Sequence, residues 1–263
     1  MNLQPGILSM SDIKKIYRKH FFDHFRYRLQ FIKERCSDRE LETVILVSSA
    51  LDALSIYKFG RGSSNRKFCR FILSYSGLQD IYNKISLPSL KQKLEKMVEK
   101  EMHKDNNCTG KKKFIEFLTN ELGVKDQDYM FLNYNEDNEI DIPFEILKDK
   151  ALQHFLKEEH AETIRILEMS KEYSYIEIFW REYRCLGVHE SALMRERAAM
   201  NLGESTEPFY AAEGVFNEDK IEKTVPRFDI PVIFTVKTLE NCISNFEREC
   251  NEQDLDPRNF IKN

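Results

Sequence analysis

Apolar residues recur at helical spacing along almost the whole of this chain, and that periodicity leaves little room for any fold other than an all-helical one. From Ser11 to about Arg35, Tyr17, Phe21, Phe25 and Ile32 return near i, i+4, while Lys14, Lys15, Arg18, Lys19, Arg26 and Arg28 take other positions. This predicts a long amphipathic helix with a basic face. Ser37 followed by Glu40 reads as a capping box that opens a run through Leu41, Val44, Ile45, Val47, Leu51, Leu54 and Ile56, ending at Gly60. A run with apolar residues on most sides belongs in the middle of a core. Its exception is a polar stripe, Ser48, Ser49, Asp52 and Ser55, which is either a strip facing solvent or the wall of a polar cavity. In a cavity Asp52 needs a cationic partner.

Gly60 to Gly77 reads as a turn and then a short helix, capped by Ser63 or Ser64, with Phe68, Phe71, Ile72 and Tyr75 inward. Arg61, Arg66, Lys67 and Arg70 lie here without an intervening acid. They make a solvated face or, with the open N–H groups of the helix start, a place for RNA phosphates. Leu90, Leu94, Met97 and Val98 mark a further helix, Phe114, Phe117 and Leu118 another stopped at Gly123, and Phe144 to Met169 one or two more. A short hairpin is expected around Tyr129 to Tyr134. Asn133, Asn135 and Asp137 imitate calcium-loop spacing, but Asn138 stands where glycine is needed and Phe144 where glutamate is, so an EF-hand is rejected. Ser174, with Glu177 three residues on, caps a helix expected to reach about Met200 with an interruption near Gly187. Asn201 to Val225 reads as loop, and Pro231 opens a last helix carrying Ile233, Val236, Leu239, Ile243 and Phe246. The expectation is one domain over residues 1–263: an up-and-down helical bundle with its core in 11–80 and 161–250 and a helical insertion at about 81–160.

With 41% hydrophobic and 32% charged residues, and only nine Gly and seven Pro, disorder and collagen are excluded. The net charge of −4 removes bulk attraction to nucleic acid, so a polyanion site has to be a local patch. Six cysteines without a CxxC or a Cys/His cluster signal neither zinc nor a disulfide framework. No apolar run is long enough for a membrane span and no signal peptide is evident, so a soluble cytoplasmic protein is expected. P-loop, dinucleotide, serine-hydrolase and zincin motifs are all missing. His20 and His24 share one helix face, but Arg18, Lys19 and Arg26 beside them repel a cation. No metal and no cofactor are expected.

What remains is Arg184-Cys185-Leu186-Gly187-Val188-His189, followed by Glu190. Chance supplies this kind of spacing, as Arg18 and His24 illustrate, so context has to decide. Five residues along an α-helix turn two side chains about 140° apart, and the pair converges only where the helix bends or ends. Trp180-Arg181-Glu182-Tyr183-Arg184 running into Val188-His189-Glu190, then Pro208-Phe209-Tyr210, resembles the "YRN-x-LVHE … PYY" pattern of bacterial HEPN-like proteins. Leu51-Asp52-Ala53-Leu54-Ser55 and Arg66-Lys67-Phe68-Cys69-Arg70-Phe71 resemble further stretches of such members. The resemblance implies an all-α bundle, often dimeric, with Arg184 and His189 as the catalytic pair of a metal-independent RNase of defence or toxin–antitoxin systems, whose further partner is an antitoxin or another protein. Tyr183, Glu190, Arg181 and Asp52 are the expected orienting neighbours.

The chemistry of the two side chains suits that role. An imidazole can move a proton at the 2′-hydroxyl or the leaving oxygen, and a guanidinium can hold the phosphate and its extra charge in the transition state. One pair is half of such a site, and a two-fold axis would supply the rest, so a homodimer is expected. The alternatives are a catalytically inactive HEPN-like interaction or nucleotide-binding module, which Cys185 in a commonly polar slot favours, and a purely structural role in which Arg184 pairs with Glu182, Glu190 or Asp52.

Overall fold

The computed structural model describes residues 9–36, 39–62, 64–102, 108–124, 140–155, 160–190, 206–217 and 220–257, with the side chains of 160, 186–190, 211–217 and 220–227 outside the description. The fold is all-α, with two small sheets. The chain divides into two compact units. The first comprises residues 1–78, 183–193 and 235–263; the second comprises 79–182 and 194–234.

The first unit is built on α1 (Met10–Arg35), α2 (Glu40–Phe59), α3 (Asn65–Tyr75) and most of the last helix, α10 (Val232–Glu252). Ser9 caps α1 in a reciprocal box with Asp12. Phe22, Phe25, Leu29 and Ile32 of α1 are buried, as are Val44, Val47, Leu51 and Leu54 of α2 and Phe68, Phe71 and Ile72 of α3. Phe246 of α10 meets Phe22, Phe71 and Tyr75 at 5.7, 5.6 and 5.3 Å between ring centres. Of the expected inward set of α1, Phe25 and Ile32 are buried and Phe21 half-buried, while Phe22 and Leu29 join them in place of Tyr17. Tyr17 is 47% exposed, whereas Arg18 is 5% exposed. Arg18 can be buried because its guanidinium donates to the Cys250 carbonyl and to Asp254. Much of the basic face of α1 is likewise spent on acids of α10: Arg26 pairs with Glu247, and Lys33 with Glu240 at 2.8 Å.

The polar stripe of α2 points inward for Ser48 and Ser55, both fully buried, and Ser49 is exposed. Arg39 is the N-cap of this helix, and Ser37 lies outside the described residues. The Ser48 hydroxyl has no hydrogen-bond partner among the described residues. Burying an unpaired hydroxyl costs about 1–3 kcal/mol, so Ser48→Ala is expected to raise the melting temperature or leave it unchanged, and a clear drop would contradict this reading.

The second unit contains α4 (Gln79–Tyr82), α5 (Leu87–Met102), α6 (Thr109–Asn120), α7 (Phe144–His154), α8 (His160–Ser170), a 3-10 turn (Lys171–Tyr173) and α9 (Tyr175–Ile178). Its core joins Leu87, Leu90 and Leu94 of α5 to Phe114, Phe117 and Leu118 of α6, with Leu147, Phe155, Ile166 and Leu167. Ile166 and Leu167 thus pack with the segment expected as an insertion, and the second unit reaches to residue 182 rather than 160. Two short strands, β1 (Lys84–Ile85) and β2 (Ile142–Pro143), pair antiparallel, and Ile85 also bridges Ser174.

A hairpin of β3 (Phe209–Asn217) and β4 (Lys220–Asp229) runs in register from Phe209↔Asp229 to Asn217↔Lys220, with an irregularity at Val215/Phe216. Over residues 209–217 and 220–225 this corrects the loop expected over Asn201 to Val225, whose residues 201–205 and 218–219 lie outside the described ones. Glu213, Gly214 and Pro226 interrupt any apolar alternation there, while the backbone pairs regardless of it. The expected hairpin at Tyr129–Tyr134 and the rejected calcium loop at 133–138 lie outside the described residues.

Candidate active site

Arg184 is carried by the helix that Ser174 opens, its hydroxyl accepting from the Glu177 amide at 3.4 Å. After the single α-turn of α9 the backbone widens, and Phe179–Glu190 is a π-helix. This corrects the interruption expected near Gly187: the helix continues through the glycine to Glu190. The widening has a geometric consequence. The wider turn brings positions 184 and 189 nearer to one face, where an α-helix would turn them well away from each other. π-geometry is rare and concentrates at functional sites. The side chains of His189 and Glu190 lie outside the described residues, so the two enter as backbone positions.

The Arg184 side chain reaches α2, where its Nη2 donates to Asp52 Oδ2 at 2.9 Å. The two side chains are 12% and 16% exposed, so the pair is mostly withdrawn from water. This is the cationic partner that a cavity-facing Asp52 requires. Tyr183 beside it is buried. Arg181 has partners within the second unit: it donates to the Glu172 carbonyl at 3.0 Å, pairs with Glu182 at 3.3 Å and lies over the Tyr173 ring.

The basic segment of residues 61–70 separates into two roles. Lys67 Nζ donates to the carbonyls of Gly60, Arg61 and Gly62 at 3.3, 2.7 and 3.2 Å, so its charge sits on the C-terminal end of α2, where a cation is favourable. Gly60 takes the positive φ (85°) that ends the helix. Ser64 is the cap of α3, accepting from the Lys67 amide. Arg70 lies over the Phe59 ring at 4.8 Å. Arg61 and Arg66 are exposed and have no acidic partner among the described residues.

A second polar cluster, in the second unit, was not singled out from the sequence. Asp141 is 3% exposed. Its Oδ1 accepts from the Leu87 amide at 2.9 Å, at the start of α5, and its Oδ2 accepts from the hydroxyls of Tyr175, at 2.6 Å, and Tyr210. The Tyr210 hydroxyl also contacts the Ser86 hydroxyl at 2.7 Å. Burial pushes the Asp141 carboxyl up to about 7, against the opposing pull of the two tyrosine hydroxyls, the Leu87 amide and Lys84. Burial and the neighbouring Asp141 charge raise both tyrosines. Tyr210 belongs to the Pro208-Phe209-Tyr210 stretch quoted above for its resemblance, and here its work is to satisfy a buried carboxyl.

Among the described residues, no helix is long and apolar enough to cross a membrane, and no group of three or more His, Cys, Asp or Glu side chains is arranged to hold a metal ion. No protein-family model matches the chain, and neither the curated proteins nor the solved structures provide a match.

Proposed function

We propose that the protein is an HEPN-like, metal-independent endoribonuclease that cleaves single-stranded RNA, with His189 as the acid/base and Arg184 as the phosphate clamp. The observation that supports this reading is the π-helix over 179–190, whose wider turn brings position 189 nearer to the face of position 184, together with the ion pair between Arg184 and Asp52. An imidazole taking the 2′-hydroxyl proton lets the 2′-oxygen attack phosphorus. The 5′-oxygen leaves with a proton, and the products are a 2′,3′-cyclic phosphate and a 5′-hydroxyl. A guanidinium at this position would hold the phosphate, where added negative charge develops. Tyr183 and Glu190 are the neighbours that would orient the pair, and the exposed Arg61 and Arg66 would guide the strand.

The second proton carrier would come from another copy across a two-fold axis, so a homodimer is expected, and a monomer at micromolar concentration by light scattering would contradict the composite site. A defence or toxin–antitoxin setting, with an antitoxin partner, is the biological context this reading suggests. Its test is a panel of single-stranded RNA substrates with product ends analysed. Cleavage is expected to persist in EDTA and to leave cyclic phosphate ends; 3′-hydroxyl ends or loss of cleavage in EDTA would overturn it.

The second reading is a non-enzymatic HEPN-like module that binds a nucleotide or a protein. The mostly withdrawn Asp52–Arg184 ion pair favours it, because a charge already neutralised by a carboxylate has less to offer a phosphate. Nucleotide binding with no cleavage across the RNA panel would select it.

A further inference from the structure

A groove of about 420 Å³ lies between α1 and α2 in the first unit. Its floor is aromatic: the rings of Phe21 and Tyr57 meet edge to face at 4.7 Å, Phe21 and Phe25 lie 5.1 Å apart, and Phe25 and Tyr57 6.5 Å. Each ring is held by the others, so the platform is set before any ligand arrives, which lowers the entropy cost of binding. The rim carries Tyr17, His20, His24 and Arg28, and no acidic side chain lines the groove. Arg28 is exposed and has no ion-pair partner among the described residues, while Arg18, Arg26 and Lys33 of the same helix are spent on acids.

We infer that this groove is a nucleobase subsite, in which a base of a single-stranded RNA lies against the half-buried Phe21 and Tyr57 rings, backed by the buried Phe25, and its phosphate meets Arg28. The inference rests on RNA being the substrate class and adds where a base is held. Two features select this occupant. Aromatic rings flanked by cations are what single-strand binders use, because every base offers a stacking face and every linkage a charge. An isologous second copy would instead bring two rims of the same sign together, which disfavours a dimer seam here. In a chain of net charge −4, a rim without acids is the local patch that a polyanion needs.

The test is fluorescence anisotropy with the full chain and a short fluorescein-labelled 2′-O-methyl oligouridine, which lacks the nucleophile and cannot be cleaved. Failure of the nuclease proposal therefore leaves this measurement intact. The wild type is expected to bind with salt-dependent affinity. Arg28→Ala, at an exposed position, is expected to weaken binding about tenfold, and Tyr57→Leu to weaken it about tenfold. Should Tyr57→Leu lower the melting temperature, Tyr17→Ser at the exposed rim supplies the stacking test. An abasic strand of equal length is expected to bind at least tenfold more weakly than the oligouridine. Absent binding, unchanged affinity in the variants, or equal affinity for the abasic strand would overturn the subsite. So would sedimentation showing that Arg28→Ala turns a dimer into a monomer, since the groove would then belong to a second copy.

Discussion

Replacing Asp141 by alanine is expected to cost the second unit about 3–5 kcal/mol, because the Leu87 amide and the hydroxyls of Tyr175 and Tyr210 lose a shared buried acceptor at once. At roughly 2–4 °C per kcal/mol for a chain of this size, a fall in melting temperature on the order of 10 °C follows. The same carboxyl predicts the direction of pH dependence. Its folded value, about 7, lies above the ordinary carboxylate value of 3.8, so the folded state holds a proton that the unfolded chain has released. Its contribution is fully present below about pH 4 and is lost as pH rises through 7. Three units at 1.36 kcal/mol each put the loss at roughly 4 kcal/mol. Asp141→Asn cannot ionise, so its stability relative to wild type should improve from pH 5 to about pH 7 and level off above it. Denaturant titrations at those pH values read this directly, and a constant difference between the two proteins would contradict the buried, proton-holding carboxyl.

Arg184→Ala is expected to lower the RNA cleavage rate by about 10²–10³, the usual effect of removing a donor to a developing oxyanion. Arg184→Lys should recover little of that, because an ammonium lacks the planar fork. Asp52→Asn removes the charge that holds the guanidinium while keeping an acceptor oxygen in reach. A positioning role for Asp52 predicts an intermediate loss in kcat with KM little changed. A purely structural role predicts a lower melting temperature and no change in rate per folded molecule. Measuring both quantities on the same preparations separates the two.

How far the sequence carried these conclusions differs from element to element. The helices α1, α2, α3 and α10 were legible because helical spacing of large apolar residues is the local signal of a packed helix, and Pro231 marked where the last one begins. The inward face of α1 was legible at Phe25 and Ile32 but not at Tyr17, since Tyr17 and Phe21 on one side and Phe22 and Leu29 on the other form two apolar stripes. Packing against α10 decides between them. Arg18 read as surface charge because its partners, the Cys250 carbonyl and Asp254, are more than 200 residues away. The Asp52–Arg184 pair was nameable only as one of several pairings, as no spacing rule connects positions 132 apart. Asp141 was missed for the same reason: it meets Leu87, Tyr175 and Tyr210 at separations of 54, 34 and 69 residues, and it sits at the edge of an acidic, Asn-rich stretch that reads as loop. The π-helix was not legible: in sequence terms the helix had to bend or end between Arg184 and His189, and a glycine in the interval suggested a break where the backbone instead widens.

Single-turnover cleavage of one single-stranded RNA by wild type and by His189→Ala, with thermal melts of both, decides whether His189 is the acid/base. A loss of at least about 10²-fold in rate is expected, with the melting temperature unchanged and no rescue or inhibition by EDTA. Undiminished cleavage by the folded His189→Ala variant would contradict it.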